Sequence, residues 1–202
     1  MTKAILFDIS GVLHTDNQPI SGAVDLIKRL RRQGIPMRFV TNTSRATCQS
    51  VLSELKQMGF EIESEEVFTA PLAIKRLCQT KGYRPFCLIH PDLTPEFSDL
   101  EQSQPNAVIV TDAAYLFSYD NLNKAFSLIM NGAPLLGIGR NRFFKSEGQL
   151  QLDAGPFIQA LEYASHVEAQ IIGKPAYSFF HEALTSLGMA ASDVLMIGDD
   201  VA

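Results

Sequence analysis

Four short polar clusters carry whatever chemistry this chain does. Asp8, Ser10 and Gly11 follow the apolar run Ala4-Ile5-Leu6-Phe7. Thr41-Asn42-Thr43-Ser44 follow Pro36-Met37-Arg38-Phe39-Val40, Gly173-Lys174-Pro175 follow Ala169 to Ile172, and Gly198-Asp199-Asp200 follow Val194-Leu195-Met196-Ile197. Apolar runs of four or five residues fit strands buried on both faces of a parallel sheet, and open α/β sheets bind ligands at the strands' carboxyl edge. If the four strands share one sheet, three carboxylates, a hydroxyl, an amide and an ammonium converge there. Crowded carboxylates repel, so they either take up protons or require a cation. A hard divalent ion with few protein ligands, completed by water and a phosphate oxygen, describes Mg²⁺ better than Zn²⁺. The Thr41 hydroxyl, the backbone N–H groups after it and the point charge of Lys174 suit a phosphoryl group. Neither Cys nor His is placed to attack it, which leaves a carboxylate as nucleophile and an aspartyl-phosphate as intermediate.

The elements between these clusters alternate. Ser21 is expected to cap a helix with Ala23, Leu26, Ile27 and Leu30 on one face, ending before Gly34, and Ser44 to cap a second helix. In that second helix Cys48, Val51, Leu52, Leu55 and Met58 recur at helical spacing. With a short strand at Val67-Phe68-Thr69 the pattern is β-α-β-α-β, which favours a parallel sheet with right-handed crossovers. From Ala70 the alternation continues without polar strand ends: a helix from Pro71, strands at Phe86 to Ile89 and Ala107 to Val110, and a helix at Leu122 to Met130. A strand at Pro134 to Ile138, a hairpin from Phe143 to Leu152 and a helix after Pro156 follow. The earlier style returns at Ala169, so the middle reads as an insertion: one domain of 1–69 and 169–202, and an inserted domain of 70–168.

With 202 residues, 46% hydrophobic and 19% charged, the chain is an ordinary soluble globular protein in composition. A net charge of -5 gives no footprint for nucleic acid or an anionic membrane, and the Lys28, Arg29, Arg31, Arg32 cluster reads as the dipole-matched end of a helix. Three cysteines, Cys48, Cys78 and Cys87, without close pairing fit a reducing, cytoplasmic compartment better than a disulfide scaffold. No run reaches the length of a membrane span.

In order and spacing, the four clusters resemble the four motifs of the haloacid dehalogenase superfamily of phosphohydrolases, over essentially the whole chain. The resemblance implies a Rossmann-like core with an inserted α/β cap of the C2 type. It also implies Asp8 as nucleophile, Mg²⁺ held by Asp8, the Ser10 carbonyl and Asp199 with Asp200 nearby, and a phosphoryl group held by Thr41, Asn42 and Lys174. The expected partner is a small phosphorylated substrate or pyrophosphate, with a homodimer left open.

Two departures stand out. Most phosphatases of that superfamily carry a second aspartate two positions after the nucleophile as general acid and base, where this chain has Ser10. General acid-base catalysis is worth about 10²–10⁴ in rate, so its absence should favour P–O–P or P–N bonds over alkyl esters. The family also continues beyond the last acidic pair, so the core is expected to be incomplete at its C-terminal side and the 202-residue chain weakly active. A catalytically quiet binding or regulatory protein of the same fold is the alternative. A phosphorelay receiver is disfavoured, because its acidic pair precedes its acceptor.

Overall fold

The computed structural model describes residues 3–15, 17–146 and 148–199. In chain order the elements are β1 (Ala4–Asp8), β2 (His14–Thr15), β3 (Gln18–Pro19), α1 (Ala23–Arg32), β4 (Met37–Thr41), α2 (Cys48–Gln57), β5 (Val67–Thr69), α3 (Ala70–Lys81), β6 (Pro85–Leu88), α4 (Thr94–Phe97), β7 (Ala107–Val110), α5 (Tyr119–Met130), β8 (Leu135–Gly137), β9 (Phe143–Ser146), β10 (Gln149–Leu152), α6 (Ala154–Ser165), β11 (Gln170–Ile171), α7 (Tyr177–Leu187) and β12 (Val194–Ile197). They divide into two compact units. The first takes Met1–Thr41, Cys48–Thr69 and Pro175–Ala202, the second Asn42–Thr47 and Ala70–Lys174.

The first unit is built on a parallel sheet in the order β12-β1-β4-β5. Every residue of β1 is buried, as its unbroken apolar run requires of an interior strand. Phe7 lies opposite Phe39 in the β1–β4 register, and their rings stack with centroids 5.8 Å apart. Each such fully buried side chain contributes about 1.5–3 kcal/mol. β12 forms an edge, with Leu195 and Met196 exposed. The basic last turn of α1 is also paired: Arg31 makes a forked pair with Glu66 at 3.0 and 2.7 Å and donates to the Glu61 carbonyl at 2.7 Å.

Both expected caps are corrected. α1 starts after Gly22, which takes φ +83°, with no side-chain cap bond, and α2 starts at Cys48 rather than after Ser44. The reason in the second case is that residues 42–47 fold with the second unit, where the Thr43 hydroxyl accepts from Ala46 N–H at 3.2 Å.

A second parallel sheet, β11-β8-β7-β6, organises the other unit. Val108, Val110, Ala125, Ile129, Ile158 and Leu161 lie in its core. The expected hairpin is present as β9 and β10, with Phe143 opposite Leu152; its turn residue Glu147 lies outside the described residues. The strand expected at Ala169 to Ile172 is only Gln170–Ile171, and it pairs with β8, so residues 169–174 fold with the second unit rather than with the flanking segments. A four-residue apolar run specifies a buried strand but carries no information about which of two parallel sheets it joins. Among the described residues no helix is long and apolar enough to cross a membrane.

Asp153 heads α6 and accepts from Ala154 N–H at 2.7 Å while buried. Burial, with Asp112 adding to it, holds its carboxyl above the ordinary Asp range. An acid whose folded pKa is raised binds more protons folded than unfolded, so stability falls as pH rises from about 3.9, the ordinary value, toward the raised one. Asp153→Asn keeps a good cap and removes that slope. Urea midpoints of both proteins at pH 4 and pH 7 should show a smaller loss in the variant; identical losses would refute the assignment.

Candidate active site

β1, β4 and β12 run parallel and are neighbours in the sheet, so their carboxyl ends share one edge. Asp8 is the last residue of β1 and only 5% exposed; Thr41 is the last residue of β4 and 6% exposed. The Asp8 carboxylate accepts the N–H of Ile9 at 2.8 Å, which fixes its rotamer. Phe7 pairs with Ile197, so the next residues, Asp8 and Gly198, lie side by side. A Cβ at Gly198 would stand 3.9 Å from Asp8 Oδ2. At Gly11, with φ +77°, a Cβ would overlap the Asp199 carboxylate. Only glycine combines that backbone conformation with such an approach. The Asp199 carboxylate is thus seated in the turn that follows β1, and the Asp8 carboxylate lies at the head of that turn beside Gly198.

Ser10 is exposed in that turn, which is closed by Gly11 N–H donating to the His14 carbonyl at 2.9 Å. His14 Nδ1 is buried without a hydrogen-bond partner among the described residues. Asp200, the remaining expected metal ligand, lies outside the described residues. Among those described, no group of three or more His, Cys, Asp and Glu side chains gathers as a metal cage. Burial pushes the Cys78 thiol up to about 11 and the Cys87 thiol to about 12, away from thiolate character at neutral pH.

The other two expected phosphoryl ligands, Asn42 and Lys174, belong to the second unit and are joined to each other. Asn42 Oδ1 accepts from Lys174 N–H at 2.7 Å, and Asn42 Nδ2 donates to the Lys174 carbonyl at 2.8 Å. The expectation that all four polar clusters end strands of one sheet is therefore corrected: three do, and Lys174 follows β11 of the second sheet.

A cluster that sequence reasoning missed anchors the same segment. Arg45 Nε donates to Asp112 Oδ2 at 2.5 Å, Asp112 is 2% exposed and also accepts from Ala114 N–H at 3.0 Å, and the Arg45 guanidinium lies 4.5 Å from the centre of the Phe144 ring. A buried carboxylate needs such a partner. Asp112 carried the signal that singled out Asp8, a carboxylate just past an apolar strand, and Arg45 directly follows Thr41-Asn42-Thr43-Ser44.

Comparison with known proteins bears on the family. Residues 5–102 match the family described as haloacid dehalogenase-like hydrolase. The phospholysine phosphohistidine inorganic pyrophosphate phosphatase of Xenopus laevis is 42% identical over 98% of this chain and 76% of its own length. Haloacid dehalogenase-like hydrolase domain-containing protein 2 of Bos taurus is 41% identical over the same shares. Among solved structures, the p-nitrophenyl phosphatase from Archaeoglobus fulgidus superposes with a TM-score of 0.87 at 26% identity, over 96% of this chain and 77% of that one. A carboxylate-ended parallel sheet and near-complete coverage at about two-fifths identity lead to one assignment: the chain belongs to the haloacid dehalogenase-like hydrolases.

Proposed function

We propose that this chain is a Mg²⁺-dependent phosphohydrolase that works through an aspartyl-phosphate on Asp8 and favours P–O–P or P–N bonds. The observation that carries the reading is the Asp199 carboxylate seated against Gly11, three residues past Asp8, where there is no room for a side chain. The donors are hard oxygens, two carboxylates and the backbone carbonyl of Ser10, which fit Mg²⁺, an ion that keeps several waters and takes few protein ligands. Bound there, with Asp200 completing the acidic set, Mg²⁺ would neutralise charge between nucleophile and substrate.

The chain's own residues supply the rest. An oxygen of Asp8 attacks phosphorus, the bond to the leaving oxygen or nitrogen breaks, and the leaving group takes its proton from water, because Ser10 offers no acid of suitable pKa. Water then attacks the aspartyl-phosphate, inorganic phosphate departs, and the Asp8 carboxylate is regenerated. The Thr41 hydroxyl, the Asn42 backbone N–H and the Lys174 ammonium hold the phosphoryl oxygens. The Xenopus laevis relative is named for phospholysine, phosphohistidine and inorganic pyrophosphate, which are P–N and P–O–P compounds.

Release of p-nitrophenol from p-nitrophenyl phosphate, and of phosphate from pyrophosphate, is expected with millimolar Mg²⁺ and should vanish with excess EDTA. Turnover of neither substrate in Mg²⁺ would overturn the reading and favour a catalytically quiet binding protein.

A further inference from the structure

The Asn42 side chain does a job other than touching substrate. Both of its hydrogen-bonding ends are committed to one residue, accepting from Lys174 N–H at 2.7 Å and donating to Lys174 C=O at 2.8 Å. That two-point contact imitates the pairing of a neighbouring strand, and only a primary amide of this length supplies donor and acceptor together. Aspartate has no donor when ionised, serine is too short, and glutamine is one methylene too long.

The residues around Lys174 are chosen for the same contact. β11 is two residues long, and its ladder to β8 closes with Ile172 N–H donating to the Gly137 carbonyl at 2.9 Å. Immediately after, a Cβ at Gly173 would stand 2.5 Å from Asn42 Oδ1 and would overlap the Ile138 carbonyl, so no side chain fits there. Pro175 follows, and a proline disfavours helical backbone for the residue before it. Gly173 permits the approach, Pro175 restricts the conformation, and Asn42 fixes what remains.

We propose that the Asn42 side chain is a positioning residue that clamps the Lys174 backbone and so sets where the lysine ammonium meets the phosphoryl group, leaving the Asn42 backbone N–H as its own contact to substrate. This rests on the phosphatase reading of Lys174. A misplacement of about 1 Å costs about 10²-fold in rate, which is the scale expected for loss of the clamp. Losing a charged donor to the developing charge costs about 10²–10³-fold.

The test is a double-mutant cycle in kcat/KM with p-nitrophenyl phosphate and Mg²⁺. Lys174→Met should lose about 10²–10³-fold and Asn42→Ala about 10–10²-fold. The double variant should be no worse than Lys174→Met within about threefold, because the clamp has nothing left to position. Losses that multiply would overturn the clamp and make the Asn42 side chain a substrate ligand. A wild-type rate in Lys174→Met would instead overturn the role of the lysine. Amide hydrogen exchange at Lys174 reads the clamp without catalysis: it should speed up at least tenfold in Asn42→Ala, and an unchanged rate overturns the proposal. Asn42→Asp, nearly isosteric but lacking the donor, covers the case of an Ala variant that does not fold; it should show the same non-additivity with Lys174→Met, and losses that multiply would overturn the clamp.

Discussion

Replacing Asp8 by Asn is expected to reduce kcat for p-nitrophenyl phosphate and pyrophosphate by at least about 10⁴-fold, the scale on which enzymes respond to removal of a covalent nucleophile. The fold should survive. Asn has nearly the same volume, and its Oδ1 can still accept the Ile9 N–H that Asp8 now accepts at 2.8 Å. What disappears is the nucleophilic oxygen and the negative charge at the carboxyl end of β1. An amide oxygen carries no full charge, so it neither displaces a leaving group from phosphorus nor helps hold Mg²⁺ comparably. Two readouts separate these roles from general damage. The denaturant midpoint should stay close to wild type, and acid-quenched wild-type enzyme should carry label from ³²P-substrate on Asp8 while the variant carries none. A variant that keeps more than about 1% of kcat would remove Asp8 from the nucleophile's role.

How far the sequence foretold this depends on what kind of information each residue carries. β7 at Ala107–Val110 and β12 at Val194–Ile197 have the bounds that their apolar runs imply, because composition alone decides that such a run is buried and extended. Asp8, Thr41 and Asp199 likewise sit where a strand ends, a local property that sequence order displays directly. The errors concern partnership. Ala169 to Ile172 looks like any other buried strand, yet β11 joins β8 through two pairs of residues, and nothing in its side chains names that neighbour. Ser44 is a good cap residue in isolation, but Arg45 next to it is held by buried Asp112 and carries residues 42–47 into the second unit. Position along the chain hid that ion pair, since its partners are separated by more than sixty residues. The Asn42 clamp is hidden for the same reason, although the Gly-Lys-Pro sequence around Lys174 records its demands once the contact is known.

Ser10→Asp should divide substrates by how much their leaving group needs a proton. Ser10 is exposed in the turn after β1, so a carboxylate fits there without disturbing the core. It would stand two residues past Asp8 in the same turn, where a carboxyl can give a proton to the leaving group and take one from the attacking water. Alkoxide leaving groups are strong bases and depart poorly without protonation, whereas the phosphate released from pyrophosphate is a weak base and departs readily. General acid catalysis is worth about 10²–10⁴ when it assists a demanding step. For glycerol 3-phosphate, kcat/KM should therefore rise by at least about 10²-fold. For pyrophosphate the change should stay within about threefold, since little of that barrier is proton transfer. The gain should also be bell-shaped in pH, because the new group must be protonated for the first step and ionised for the second. Equal changes on the two substrates would show that Ser10 does not limit the chemistry, and that any preference for P–O–P or P–N bonds arises elsewhere in the chain. A preference that collapses with this one substitution would instead place selectivity two residues from the nucleophile, in the turn that Gly11 keeps open for Asp199.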